Sequence, residues 1–380
     1  MSRTVYLHVG IAKTGTTYLQ RTLFANRDLL RQHGTLYPGP DAASHFLGSL
    51  DLRGAKFKGH TYERAEGAWA RLVSQANDYE GNTLISHETL AHAKPEHIDQ
   101  AVHDFTTEDV RVVVTARDLA RQLPAAWQES LKNRGETEYD DFLAGVFAGW
   151  HAEVGGEGRF WGAQDVRGVV ARWGGRVGLD NVTVVTVPPS GSERSILWER
   201  FRDATALPEI HYAFPERDNS SLGVAEAELL RRLNPRLRDE LDWPRYDGLI
   251  KKRLAEGVLG PLEAQGRLRL PQRWRDDTLA ISAAAVEYLA LSGVRIVGDL
   301  EDLEPSQGFD DGSGRQPSEL SDREVLDAAL DVIAVLAVRP PGPPQANAGV
   351  AGAVPSRMVA LARKVRAWLP RPLRDRLHRR

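Results

Sequence analysis

Thr4-Val5-Tyr6-Leu7-His8-Val9, then Gly10-Ile11-Ala12-Lys13-Thr14-Gly15-Thr16-Thr17, then a helical run over residues 18–32, decide how this chain begins to fold. The first segment reads as a buried β-strand. The second is a glycine loop between that strand and a helix start. Such a loop is an anion cradle, because backbone N–H groups and the positive end of the helix dipole converge on one point. The two glycines have the spacing of a Walker A loop, Gly-x-x-x-x-Gly. The lysine does not fit it. A nucleotide hydrolase places Lys-Ser/Thr directly after the second glycine. Here Thr16 and Thr17 hold those positions, and the lysine lies inside the loop at Lys13. An ordinary tight βα turn is the alternative. The full string Lys-Thr-Gly-Thr-Thr after a strand favours a phosphate site.

The chain continues to alternate. Residues 62–79 have helical spacing, with Ala65, Trp69, Leu72, Val73 and Ala76 on one face. Residues 83–86 form a short apolar strand that runs into His87-Glu88. Residues 109–116 are the clearest buried strand, followed by a helix over 119–133 whose first turns Pro124 disturbs. A strand over 182–187 is stopped by Pro188-Pro189. Ser192 is the expected cap of a helix reaching residue 205. Residues 222–233 are helical, 249–293 form a long amphipathic region, and 294–297 add an edge strand. Residues 34–61, polar and bearing His45 and His60, read as a substrate-side insertion rather than core. Strands alternating with helices predict an α/β fold, a mostly parallel sheet flanked by helices.

Apolar residues make up 42% of the 380, enough for a sizeable core, and the charged share of 27% is ordinary. No apolar run reaches the roughly 18 residues of a membrane-spanning helix, and no leader-like segment opens the chain. The expectation is a cytoplasmic protein. The absence of cysteine removes disulfides, thiolate metal sites and cysteine nucleophiles. Residues 356–380 carry nine Lys/Arg and one acid, a net +8, so the total of −3 leaves about −11 for the rest. An acidic body argues against nucleic acid as a partner. Composition divides the chain into an α/β domain over 1–302, an acidic linker and helix over 303–338, a Pro/Gly-rich linker over 339–355 and a basic amphipathic tail over 356–380. That tail suits peripheral contact with an anionic membrane; a solubilising tail is the equal alternative.

The displaced lysine resembles the 5′-phosphosulfate-binding loop of the sulfotransferases, as found in bacterial sulfotransferase-like proteins that use 3′-phosphoadenosine 5′-phosphosulfate (PAPS) as donor. The resemblance implies a P-loop NTPase-like three-layer sandwich. It implies in-line transfer of a sulfuryl group to a hydroxyl or amine, with no metal. It places Gly10, Lys13, Thr14, Gly15, Thr16 and Thr17 around the 5′-phosphosulfate, and gives Lys13 the charge that grows on the bridging oxygen. A second signature of that family is a strand ending in Arg, with Ser eight residues on, holding the 3′-phosphate. The strand ending Ala116-Arg117 is similar. Ala125 stands where the serine would, leaving Arg121, Gln122 or Ser130 as substitutes. Asn219-Ser220-Ser221-Leu222 resembles an Asn-x-Ser-Leu segment near the 3′-phosphate, which adds Ser220; a helix cap is the plainer reading.

Transfer also needs a base, which must be His, Glu or Asp. His87 and Glu88 follow a strand's carboxyl end, the edge at which open α/β sheets bind ligands. Alternation sends these neighbours to opposite faces, and Glu88 is preferred. His45 and His60 are rivals, while His8 lies in or beside the sheet. Trp69, Trp127, Trp150, Trp161 and Trp173 either floor an acceptor pocket or fill the core. The acceptor stays open among carbohydrate, lipid-linked sugar and secondary metabolite. Two other readings stand beside this one. A P-loop nucleotide kinase or NTPase lacks its lysine position and a strand-end Asp here. A catalytically degenerate nucleotide-binding protein is kept open by the missing serine.

Overall fold

Strand alternation builds the core. In β1 (Val5–His8), Val5 and Leu7 enter one apolar cluster and Tyr6 enters another on the opposite face. The computed structural model describes residues 3–152, 160–216, 221–262, 266–312 and 314–338. The remaining strands are β2 (Thr35–Leu36), β3 (Asn82–Ser86), β4 (Val110–Ala116), β5 (Val182–Thr186) and β6 (Arg295–Val297). They form one sheet in the order β2-β3-β1-β4-β5-β6, and every neighbouring pair is parallel. One face is covered by the helices Ala68–Asn77, Pro95–His103, Val166–Val177 and Arg275–Ser292, through Trp69, Leu72, Ile98, Val169, Trp173 and Leu289. The other is covered by Thr16–Ala25 and Arg194–Ala204, through Leu19, Leu23, Leu197, Trp198 and Phe201. Each fully buried aliphatic side chain contributes ~1.5–3 kcal/mol. The result is the expected three-layer α/β sandwich.

Parallel strands bring their carboxyl ends to one edge. In register, His8 lies opposite both Ser86 of β3 and Val113 of β4. The chain leaves β1 towards β3 on one side and returns to β4 on the other. That reversal opens a crevice above β1, the usual place for a ligand in such sheets.

Several expectations shift. The first helix breaks at Asn26 into Thr16–Ala25 and Arg27–Gln32. The Asn26 amide instead holds distant backbone, donating to the Ala213 carbonyl at 2.8 Å and accepting from its N–H at 2.9 Å. Residues 34–61 are partly core: they supply β2 and the helix Ser44–Leu52, where His45, Leu47 and Leu50 are buried. Helix Leu119–Lys132 runs through Pro124. Glu193, not Ser192, stands at the cap of the helix Arg194–Ala204, without a side-chain bond. The segment expected as linker from 303 is packed: Leu303, Phe309 and Gln316 are buried. Gly308, at φ +99°, lies so close to helix Leu119–Lys132 that an added Cβ would sit 3.1 Å from the Ala120 carbonyl carbon. The compact unit therefore runs past 302, from Met1 to Ile333, and a second unit covers Ala334–Arg380. Of the latter, the described part is the end of helix Asp322–Val338. The basic segment 356–380 and Ser220 lie outside the described residues. No helix among the described residues is long and apolar enough to cross a membrane.

Candidate functional site

β1 ends at His8 and the chain turns at Gly10, where no side chain fits. An added Cβ would lie 2.6 Å from both His8 Nε2 and Thr16 Cγ2. Lys13 at φ 72° and Gly15 at φ 85° then take left-handed conformations. For lysine that geometry costs ~1–2 kcal/mol and persists only where the surroundings enforce it. The turns deliver the helix Thr16–Ala25 with its first N–H groups lacking partners inside the helix.

A buried polar chain fixes the loop from below. Thr14 Oγ1 donates to the Ile11 carbonyl at 2.5 Å and lies 2.6 Å from Thr115 Oγ1. Thr115 Oγ1 lies 3.2 Å from His8 Nε2, and His8 Nδ1 lies 2.7 Å from Ser86 Oγ. Three strands and the loop are thereby tied together. Burial lowers the His8 pKa to about 3, so the ring is neutral. The Thr14 hydroxyl is spent inside the fold; its backbone N–H is what it has to offer an anion. Thr16 is buried, and Thr17 is exposed at the mouth.

Lys13 reaches across the loop. Its Nζ donates to Glu129 Oε2 at 2.6 Å. The other carboxylate oxygen accepts from Lys251 Nζ at 2.9 Å and from Asn133 Nδ2 at 3.0 Å. Burial alone would raise the Glu129 pKa, but the charges of Lys13 and Lys251 outweigh it and hold the group far below the usual carboxylate range. On the other side, Arg117 follows β4 and donates from Nη1 to the Lys13 carbonyl at 3.2 Å. Its Nε is buried with no hydrogen-bond partner. Burial, then the Arg121 charge, lowers its pKa to about 10, so it stays cationic at neutral pH.

Two clefts are walled by residues that contact this loop. One, of about 740 Å³, is lined by Arg117, Ala125, Ser221, Arg267, Arg269 and Arg275 among others. The second, of about 800 Å³, is lined by Phe46, Phe57, His87, Glu88, Glu129 and Lys251 among others. Both are of small-molecule size. Lys13 joins them, since its carbonyl meets Arg117 of the first and its ammonium meets Glu129 of the second.

The expected base candidates separate. His45 is buried with both nitrogens engaged, Nε2 at 2.8 Å from the Pro38 carbonyl and Nδ1 accepting from Ser86 N–H at 3.0 Å. It cannot reach an acceptor. His60 lines the second cleft. His87 caps the short helix Glu88–His92, its Nδ1 accepting from Thr89 N–H at 3.2 Å, and burial lowers its pKa. Glu88 Oε2 accepts from Gln20 Nε2 at 3.0 Å. Burial would raise the Glu88 pKa, but His87, the Gln20 bond and Lys13 together bring it below the ordinary value, so the carboxylate is ionised.

The substitutes for the missing serine are committed elsewhere. Arg121 pairs with Asp118 and donates to the Pro188 carbonyl, Gln122 donates to Gln164, and Ser130 donates to the Trp127 carbonyl. Gln128 does what no sequence signal announced: it grips Leu222 through both its N–H and its carbonyl, at 3.2 and 2.7 Å. Ser221, the preceding residue, lines the first cleft, as does Arg117. Of the tryptophans singled out, Trp69, Trp127, Trp161 and Trp173 are core and Trp150 is half-buried; Trp243, which was not among them, lines the second cleft. Glu129 and Lys251 also went unread. An Asn-Arg-Gly stop after the helix gave no hint that Glu129 turns towards Lys13.

No protein-family model and no curated protein matches the chain. Among solved structures, a crystal structure of a sulfotransferase from Alicyclobacillus acidocaldarius is similar at 17% identity, over 66% of this chain and 96% of that one, with a TM-score of 0.36.

Proposed function

We propose that this chain transfers a sulfuryl group from PAPS to a hydroxyl-bearing acceptor. One observation carries the reading: the in-loop Lys13 contacts a wall residue of each of two clefts, Arg117 of the arginine-rich one and Glu129 of the carboxylate-bearing one. A donor with phosphates at two ends needs two cationic sites. Residues 10–17 suit the 5′-phosphosulfate, with backbone N–H groups, the Thr16 and Thr17 hydroxyls and the helix start. Arg117, whose buried Nε lacks a partner, suits the 3′-phosphate. Ser221 lines the same cleft, and Ser220, which lies outside the described residues, is kept in this reading on the sequence resemblance alone.

In the reaction the acceptor oxygen attacks sulfur in line. A new oxygen–sulfur bond forms, the bond from sulfur to the bridging oxygen breaks, and its electron pair leaves with 3′-phosphoadenosine 5′-phosphate (PAP). Lys13 offsets the charge on that leaving oxygen. The acceptor's proton passes to Glu88, which is ionised and lines the acceptor cleft. His87 is the poorer base, because its Nδ1 already accepts from Thr89. A magnesium-dependent kinase would want a free carboxylate beside the loop. Asp118, next to Arg117, spends its carboxylate on the Arg121 N–H and guanidinium.

The acceptor belongs to a class of small alcohols, whether carbohydrate, lipid-linked sugar or secondary metabolite. Calorimetric titration with PAP, with and without EDTA, tests the donor. PAP should bind in both, and magnesium-dependent binding would overturn the reading. Screening PAPS against metabolite extracts then finds the acceptor.

A further inference from the structure

Glu129 is held by two lysines far apart in sequence. Lys13 comes from the loop; Lys251 is 122 residues beyond Glu129. Their ammonium groups sit on the two oxygens of one carboxylate, at 2.6 and 2.9 Å. Two cations therefore converge on a point where a small multi-oxygen anion already fits. The Asn133 amide completes the setting, donating to Glu129 Oε1 at 3.0 Å and accepting from Lys251 at 2.9 Å.

Lys251 reaches this point from an unusual element. The segment Asp247–Leu259 is wound as a π-helix for 13 residues. Such winding is rare and gathers at functional sites. It is anchored by Ala255, Val258 and Leu259, which are buried, while Lys251 lines the cleft that also holds Glu88 and His87. An ammonium has three donors. Two of those on Lys251 are spent on Glu129 and Asn133. The third is left for a ligand. Glu129 is shared by the two lysines, one on each oxygen, so neither ammonium has the carboxylate to itself. The carboxylate also lends rigidity: it fixes both long side chains before any anion arrives.

We infer that Lys251 is a donor-binding residue that holds the sulfuryl oxygens of PAPS from the acceptor side of the loop, while Lys13 serves the bridging oxygen. This rests on the PAPS reading above. The consequence is selectivity between donor and spent nucleotide. PAP has no sulfuryl oxygens, so Lys251 contributes to binding PAPS and nothing to binding PAP. Release of PAP after transfer is then not slowed by this contact.

The test is the ratio of PAPS to PAP affinity, measured by calorimetry on the full chain with freshly purified nucleotides. Lys251→Met should weaken PAPS about tenfold, the scale of one charged hydrogen bond, and leave PAP within about twofold. Lys251→Arg should restore most of the preference. Glu129→Gln should lower it less than Lys251→Met does, since Glu129 positions the lysines and touches no donor atom. Thermal melting checks each fold, and Lys251→Gln supplies the same ratio should Lys251→Met melt. A Lys251→Met protein whose PAPS-to-PAP ratio equals the parent's overturns the inference while PAP binding leaves the donor reading standing. A parent that binds neither nucleotide overturns both.

Discussion

The two clefts beside the loop are nearly equal in size, about 740 and 800 Å³, yet their walls differ in kind. The first is arginine-walled. Arg117, Arg121, Arg267, Arg269 and Arg275 line it against two acids, Asp310 and Asp311. The second has aromatic walls that meet edge to face: Phe46 with Phe57 at 5.3 Å, Phe46 with Tyr62 at 5.6 Å, and Phe57 with Trp243 at 5.4 Å. Much of its charge is paired, Lys251 with Glu129, which also holds Lys13 of the loop, and Lys252 with Asp247. Excess positive charge suits an anionic nucleotide. Aromatic walls around a carboxylate that has no lysine or arginine partner, Glu88, suit an uncharged alcohol that must lose a proton. Lys13 of the loop touches a wall of each, Arg117 and Glu129, and the proposed reaction uses both environments.

The largest expected effect lies at that lysine. Lys13→Ala should lower turnover ~10²-fold or more and cost PAP affinity far less, because a charge aimed at the leaving oxygen acts mainly in the transition state. Equal losses of both would make Lys13 a plain binding residue and erase the division between the clefts. Next comes the acceptor side. Glu88→Gln should cost ~10²-fold in turnover with PAP binding kept, and His87→Ala should cost less. Near-parent turnover in both would move the base to His60, which shares the cleft. On the donor side, Arg117→Ala should cut the preference for PAP over AMP about tenfold. An unchanged preference would take the 3′-phosphate away from this cleft and give it to Arg267 or Arg269.

What could be read in advance also divides in two. The loop, β1, β3, β4 and β5 are local patterns: a few consecutive residues specify them, and the parallel sheet follows. That Arg117 and Glu88 line clefts at the sheet's carboxyl edge was legible, because strand ends in such a sheet share an edge; their roles belong to the proposal. The Lys13–Glu129–Lys251 contact was not, because it depends on packing helix Leu119–Lys132 against the segment Asp247–Leu259. His45 looked like a base in a polar loop. It is buried because β2 joins the sheet edge and pulls the following helix over β3, where Ser86 N–H takes its Nδ1. Residues 303–318 looked too polar to pack, yet Leu303, Phe309 and a glycine against the Ala120 carbonyl suffice.

Gly10 tests whether the loop is rigid. Gly10→Ala adds a Cβ 2.6 Å from His8 Nε2 and 2.7 Å from Thr115 Oγ1, atoms of a buried network that cannot move freely. The expected cost is ~1–3 kcal/mol of stability, read as a lower denaturant midpoint. PAP binding should weaken as the loop shifts. A variant as stable as the parent would mean that the floor beneath the loop gives way easily.

The smallest effect concerns that shared floor. His8 lies under the loop and His45 under the acceptor cleft, and burial lowers their pKa values to about 3 and about 4. In the unfolded chain both titrate near ~6.5. Below that pH the unfolded state binds protons that the folded state refuses, so stability rises with pH through this window. It should be complete above pH ~6.5 and drain as the pH falls towards the folded values. Arg117, with its pKa at about 10, stays charged throughout. The donor cleft should therefore keep PAP affinity between pH 6 and 8, while the floor alone responds to mild acid. Carboxylates add to the loss at low pH, so the difference between proteins is the cleaner measure. His45→Gln keeps a polar side chain at the site and removes one titrating group. Its stability between pH 7 and 5 should fall less steeply than the parent's, by about one proton in the slope. An identical slope would show that His45 is protonated in the folded protein too, and that the floor under the acceptor cleft is wetter than its burial implies.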